Sequence, residues 1–218
     1  MSAAPVRTRL GAAWLAAAGV LFLLYPAVRP WEDESTVAGA TRAMSSGAWV
    51  ASHLFAMVGF ILVPLGLLAV HDAVSRTRVE RLGFTALVTT WIGAGLTLPY
   101  YGAEDFGLNA IASKAKHGQV ADVLDVVDVV RFSPTQATIF VAGLLLLGVG
   151  AVLSAITIWR SGVLPRSSGV LFGVGFALFL PQFFTPAAVR IAHGVLVAGG
   201  ALWLALVLWR ATPGATAA

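Results

Sequence analysis

The sequence predicts an all-α membrane protein, a bundle of six transmembrane helices. Composition is the first reason: of 218 residues, 58% are hydrophobic and 11% charged, where soluble domains carry roughly a quarter charged residues. The second is length. Apolar runs close to the 20 or so residues that cross a bilayer recur at about 10–28, 49–70, 82–101, 136–159, 168–185 and 190–209. The segments between them leave no room for a separate soluble domain, so 1–218 reads as a single transmembrane helical bundle. Cysteine is absent, which excludes disulfides, thiolate metal sites and cysteine nucleophiles. The net charge of +4 is dispersed over short loops, which points to membrane topology and not to nucleic acid.

Arg7 and Arg9 precede the first run, which is long and has no small-residue cleavage site after Tyr25-Pro26; it reads as an uncleaved span. Segments 1–9, 71–81, 160–167 and 210–218 hold eight Arg and two acids, and the remaining segments hold six Lys or Arg and eight acids. Positive charge concentrates on the cytoplasmic side. Both termini are therefore expected in the cytoplasm of a multi-pass cell-membrane protein, with 29–48 and 102–134 outside. Trp31 and Trp49 then mark the outer interface and Trp159 and Trp209 the inner one. The acidic run Glu32-Asp33-Glu34 reads as a solvated loop.

The second span brings His53 roughly 6 Å in from Trp49 at a helical rise of 1.5 Å per residue. The third ends LTLPYYGAED, setting Tyr100, Tyr101, Glu104 and Asp105 where the helix leaves the outer leaflet. The segment at about 119–132 carries Asp122, Asp125 and Asp128 among aliphatics, an amphipathic pattern expected to lie on the membrane surface. Ser133 or Thr135 can cap the fourth span. After that span the turn Arg160-Ser161-Gly162-Val163-Leu164-Pro165-Arg166 precedes a Gly-rich run. This turn resembles one in uncharacterised multi-helix integral membrane proteins of actinobacteria, over about 20 residues. The resemblance implies a fold of the same general kind and carries no activity or site residue.

The last two spans meet at Leu178–Gly199, which gathers Gln182, Arg190 and His193 at one end of a helical hairpin. In the sixth span Gly194, Ala198, Ala201 and Ala205 form a small-residue stripe suited to close helix packing, in this chain or with a membrane partner or second copy. The outer ends LFLLYP (21–26), LTLPYY (96–101) and LFLPQF (178–183) read as versions of one another. The chain can therefore be read as three parallel helical-hairpin repeats.

Eight polar or aromatic residues fall in the outer third of this bundle: Tyr25, His53, Tyr100, Tyr101, Glu104, Gln182, Arg190 and His193. Singly, each suits an interfacial anchor. Together, ionisable groups within spans mark a pathway, a ligand site or a paired network, because leaving them in lipid is costly. The preferred reading is a pocket open to the outer leaflet that binds a small amphiphilic or lipid-like molecule. Tyr25, Tyr100, Tyr101, Gln182 and Arg190 would line it, with Glu104 or Arg190 as anchor. If it performs chemistry, Glu104 is the candidate acid or base, with His53 or His193 as proton partner.

Three alternatives stand beside it: a b-type haem held between His53 and His193, proton-coupled transport through the same groups, and an assembly or scaffold subunit. No metal site is expected, since no helix carries two His at ligand spacing. Asp105-Phe106-Gly107 is not a kinase triplet, because nothing else of that machinery accompanies it.

Overall fold

A computed structural model describes residues 3–120 and 123–211, and all regular structure in them is helical. The helices are α1 (Ala3–Val28), α2 (Val37–Met44), α3 (Gly47–Val74), α4 (Glu80–Gly102), α5 (Leu108–Lys116), α6 (Val123–Phe132), α7 (Pro134–Ser161), α8 (Val170–Ala177) and α9 (Ala187–Arg210). A π-helical turn, Ala103–Gly107, joins α4 to α5 so that Glu80–Lys116 forms one long helical run. Five helices among the described residues are long and apolar enough to cross a membrane: Val6–Val28, Gly47–Val74, Glu80–Lys116, Pro134–Ser161 and Ala187–Arg210.

Small residues set the packing. Gly93 of α4 lies so close to α7 that a Cβ there would come 2.6 Å from the Leu147 nitrogen, and Gly143 in turn faces Gly93 and Thr97. Side chains larger than hydrogen would separate these backbones, which is why membrane helices place small residues at such crossings. The stripe on α9 is used within the chain: Ala198 and Ala201 meet Gly19 of α1, and Gly194 meets Phe22 and Pro26. That part of the stripe is covered by α1 and does not offer itself to a second copy. The contacts also fix direction. Residues 11, 15 and 22 of α1 lie against 69, 66 and 59 of α3, so these helices are antiparallel, and α1 runs antiparallel to α9 as well. Both ends of the described chain therefore share one side of the bundle, where Arg9 sits over Trp209 and Arg7 pairs with Asp72.

The fifth expected span, 168–185, is not a continuous helix. It consists of a 3-10 turn (Arg166–Gly169), α8, a bent connection and a second 3-10 turn (Pro181–Phe184). Pro181 has no N–H to give to Ala177. Just upstream, the Phe179 N–H bonds to Phe176 and not to Gly175. The segment nevertheless follows α9 in antiparallel register, with Phe172 against Gly200 and Gly175 against Val197.

The outer segments differ from expectation too. Within 29–48 the chain forms α2, whose N-terminus is capped by the Thr36 hydroxyl accepting the Gly39 N–H. Here α2, α5, α6 and the start of α3 bury their own apolar cluster of Ala40, Met44, Trp49, Leu108, Ala112, Val123 and Val127. The apolar face of α6 is thus spent partly on protein and not simply on a membrane surface, while Asp125 and Asp128 are exposed as the pattern required. Asp122 lies outside the described residues. Trp49, expected at the lipid interface, is fully buried in this cap.

Candidate functional site

The cap and the helix ends beneath it enclose a cavity of about 770 Å³. Tyr25, His53, Tyr100, Tyr101, Glu104 and Arg190 all line it, although they come from α1, α3, the long α4–α5 run and α9. Gln182 and His193 lie just outside it, around a recess of about 10 Å³ whose wall also includes Tyr25 and Arg190. The cavity has two chemical faces. Charged residues crowd its upper wall, while Phe140, Val141, Leu180, Phe183 and Phe184 make an apolar wall. Phe132 and Phe184 stand at its rim, 70% and 85% exposed.

Four residues of the upper wall form an ion-pair chain. Arg131 makes a bidentate pair with Glu104, Nε to Oε1 at 2.6 Å and Nη2 to Oε2 at 3.0 Å, and also reaches Glu34 at 2.9 Å. Arg29 closes the chain on the other oxygen of Glu34 at 2.6 Å. Burial alone would favour a neutral Arg131, but the two carboxylates outweigh it and hold the guanidinium above its ordinary pKa. Trp49 supports the assembly from within, its ring under Arg29 and Arg131 and its Nε1 donating to the Glu104 carbonyl at 2.8 Å. The π-turn at Ala103–Gly107 is the local distortion that carries Glu104 here. Its neighbour Asp105 is fully buried, and neither carboxylate oxygen has a hydrogen-bond partner.

Arg29, Trp31, Glu34 and Arg131 were not singled out as site residues from sequence. Glu34 belongs to the acidic run expected to be solvated, yet its side chain is only 17% exposed. The available signal was faint: Arg131 is the one cation in a helix otherwise punctuated by aspartates, and Arg29 stands five residues before Glu34.

The lower wall is built differently. Arg190 donates from Nε to Gln182 Oε1 at 3.0 Å and from Nη2 to the Tyr25 hydroxyl at 3.5 Å. Among the described residues no carboxylate pairs with it. Instead the Trp31 and Phe183 rings lie 4.9 and 4.8 Å from its guanidinium carbon. Tyr25, Tyr101 and His53 pack as a triangle with ring centroids 5.8–5.9 Å apart, and the Tyr101 hydroxyl donates to that of Tyr25 at 3.3 Å.

The two histidines do separate jobs. His53 Nδ1 lies 2.8 Å from the Trp49 carbonyl, which can only accept, so this nitrogen carries the proton and Nε2 is left as an acceptor in the neutral ring. His193 Nε2 donates to the Gly175 carbonyl at 2.8 Å, the carbonyl that the break after α8 leaves without its helical partner. His193 thus repairs a helix defect. A haem between them does not fit these positions. Only His53 faces the large cavity, the Nε2 of His193 is committed to backbone, and the recess beside it has room for about one water-sized atom.

No known protein family, curated protein or solved structure matches the chain.

Proposed function

We propose that the protein is a multi-pass membrane protein whose cavity binds a small amphiphilic or lipid-like molecule entering sideways from the outer leaflet. The observation that carries this reading is the division of one 770 Å³ cavity into a charged upper wall and an aromatic and aliphatic wall, with Phe132 and Phe184 exposed at its rim. Such a space takes a molecule with one polar and one apolar end. Binding is favoured over acid–base chemistry or proton transport because both oxygens of Glu104 are held by Arg131 and the other carboxylates lining the cavity, Glu32 and Glu34, are ion-paired.

In this reading the broken segment 166–184 is the sixth crossing, since it follows α9 in antiparallel register. The three hairpins α1–α3, α4–α7 and α8–α9 are then the parallel repeats, and the arginine-rich end where both ends of the described chain lie is cytoplasmic. Impermeant thiol reagents applied to intact cells should label Gln119→Cys but not Ser75→Cys. The reverse pattern would invert the orientation and with it the leaflet.

The binding reading is tested by filling the cavity. Ala137 lines it, so Ala137→Trp should occlude it while leaving the bundle folded. Native mass spectrometry of protein extracted from membranes should show a bound amphiphile on the wild type and lose it in Ala137→Trp. Equal occupancy in both, or none in either, would refute the reading.

A further inference from the structure

We infer that Arg190, Tyr25 and Gln182 form a head-group site for an oxyanion, a carboxylate or phosphate, at the polar end of the cavity. This deepens the amphiphile reading and rests on it. Donors outnumber acceptors around these three residues. Arg190 bonds to the Gln182 amide through Nε, and a guanidinium has donors only, so the amide oxygen must face it and the amide nitrogen must face away. That nitrogen is buried without a partner, in a residue only 6% exposed that lines the small recess.

The Tyr25 hydroxyl accepts from Arg190 and pairs with the Tyr101 hydroxyl; with Tyr101 as the donor of that pair, Tyr25 keeps its own proton to give. Arg190 itself spends two of its five N–H groups on these partners, and its ring neighbours Trp31 and Phe183 supply no acceptor oxygen. Tyr25 and Arg190 line both the cavity and the recess, and Gln182 lines the recess, so the residues carrying these unspent donors border the place where the two meet.

The carboxylates of the cavity's upper wall cannot meet this demand, because Glu34 and Glu104 are paired with Arg29 and Arg131, and Glu32 with Arg42. A group rich in acceptors satisfies it: one oxygen seated in the recess, which has space for about one water-sized atom, and another on the guanidinium edge. His193 Nδ1, an acceptor because Nε2 donates to Gly175, shares the recess wall, so the single oxygen seated there is best a protonated one such as a phosphate P–OH. The same chemistry occurs on a lipid head group and on a free anion, and the ligand's chain length separates the two.

The full-length protein in phosphatidylcholine nanodiscs would be titrated with laurate, dodecyl phosphate, dodecanol and inorganic phosphate, reading tryptophan fluorescence and thermal shift. Laurate or dodecyl phosphate should bind about 10-fold to 100-fold tighter than dodecanol, the difference expected of charge-assisted hydrogen bonds. That preference should vanish in Arg190→Gln and shrink in Gln182→Leu and in the shape-preserving Tyr25→Phe. Dodecanol affinity should stay unchanged in all three, which shows the cavity intact.

Equal affinity for dodecanol and laurate in the wild type, or a preference that survives Arg190→Gln, overturns the head-group site while leaving the amphiphile reading standing. Inorganic phosphate binding as tightly as dodecyl phosphate supports the oxyanion site and overturns the amphiphile reading. No binding by any of the four overturns both.

Discussion

The two polar walls of the cavity contain similar residues and treat them in opposite ways. In the upper wall each guanidinium meets a carboxylate, Arg131 through two bonds to Glu104 and one to Glu34, and Arg29 through Glu34. In the lower wall Arg190 meets only a hydroxyl, an amide oxygen and aromatic faces. The first arrangement is electrically closed. Its partners come from the loop after α1, the π-turn and α6, so it fastens the cap to the bundle. The second is open: among the described residues, three of the five N–H groups of Arg190 have no hydrogen-bond acceptor. Paired charge in a buried setting gives geometry, whereas unpaired charge gives a site, because desolvation has already been met and only the counter-ion is missing.

The contrast can be broken first at its strongest point. Arg131→Ala leaves Glu34 with only Arg29 and Glu104 with no cation, and should cost about 3–5 kcal/mol, the usual penalty for orphaning a buried charge. Thermal unfolding in nanodiscs measures it; a loss below about 1 kcal/mol would mean that the chain does not hold the cap.

Glu104→Gln should cost less, about 1.5–3 kcal/mol, since Arg131 keeps Glu34 and loses only its charged bonds to Glu104. A double-mutant cycle with Arg131→Ala should show strong coupling, and additive losses would sever the proposed link.

His193→Ala removes the donor that serves the Gly175 carbonyl and should cost about 1–2 kcal/mol. The effect should be local, with faster amide exchange around residues 176–183 than in α3. Uniform exchange across both would argue against His193 as the repair of the break.

Arg190→Gln should change stability least, by about 1 kcal/mol or less, because it orphans no carboxylate. If it instead unfolds the protein as Arg131→Ala does, the lower wall is structural and the contrast fails.

Much of this was legible in one dimension. Span length and apolarity are local properties, so the five helices long and apolar enough to cross a membrane are among the six runs read from the residues alone, and the polar groups Tyr25, His53, Tyr100, Tyr101, Glu104, Gln182, Arg190 and His193 could be placed near one end from their distance along each helix. The break at 178–181 was partly legible in Pro181, which cannot donate to the helix. The bond by which His193 takes up the freed Gly175 carbonyl was not, because it comes from α9, 18 residues further along the chain.

What the tertiary structure alone decided is which charges are satisfied. Glu104 and Arg190 look equivalent in sequence as candidate anchors, both ionisable and both near a helix end. The partner of Glu104 is 27 residues away on α6, and the hydroxyl that meets Arg190 is 165 residues away on α1. No short-range pattern records such distances. Apolarity is summed over a local run and so can be read from sequence. The satisfaction of a buried charge depends on a few atoms brought within 3 Å or so by the packing of remote helices, and only the folded bundle determines it.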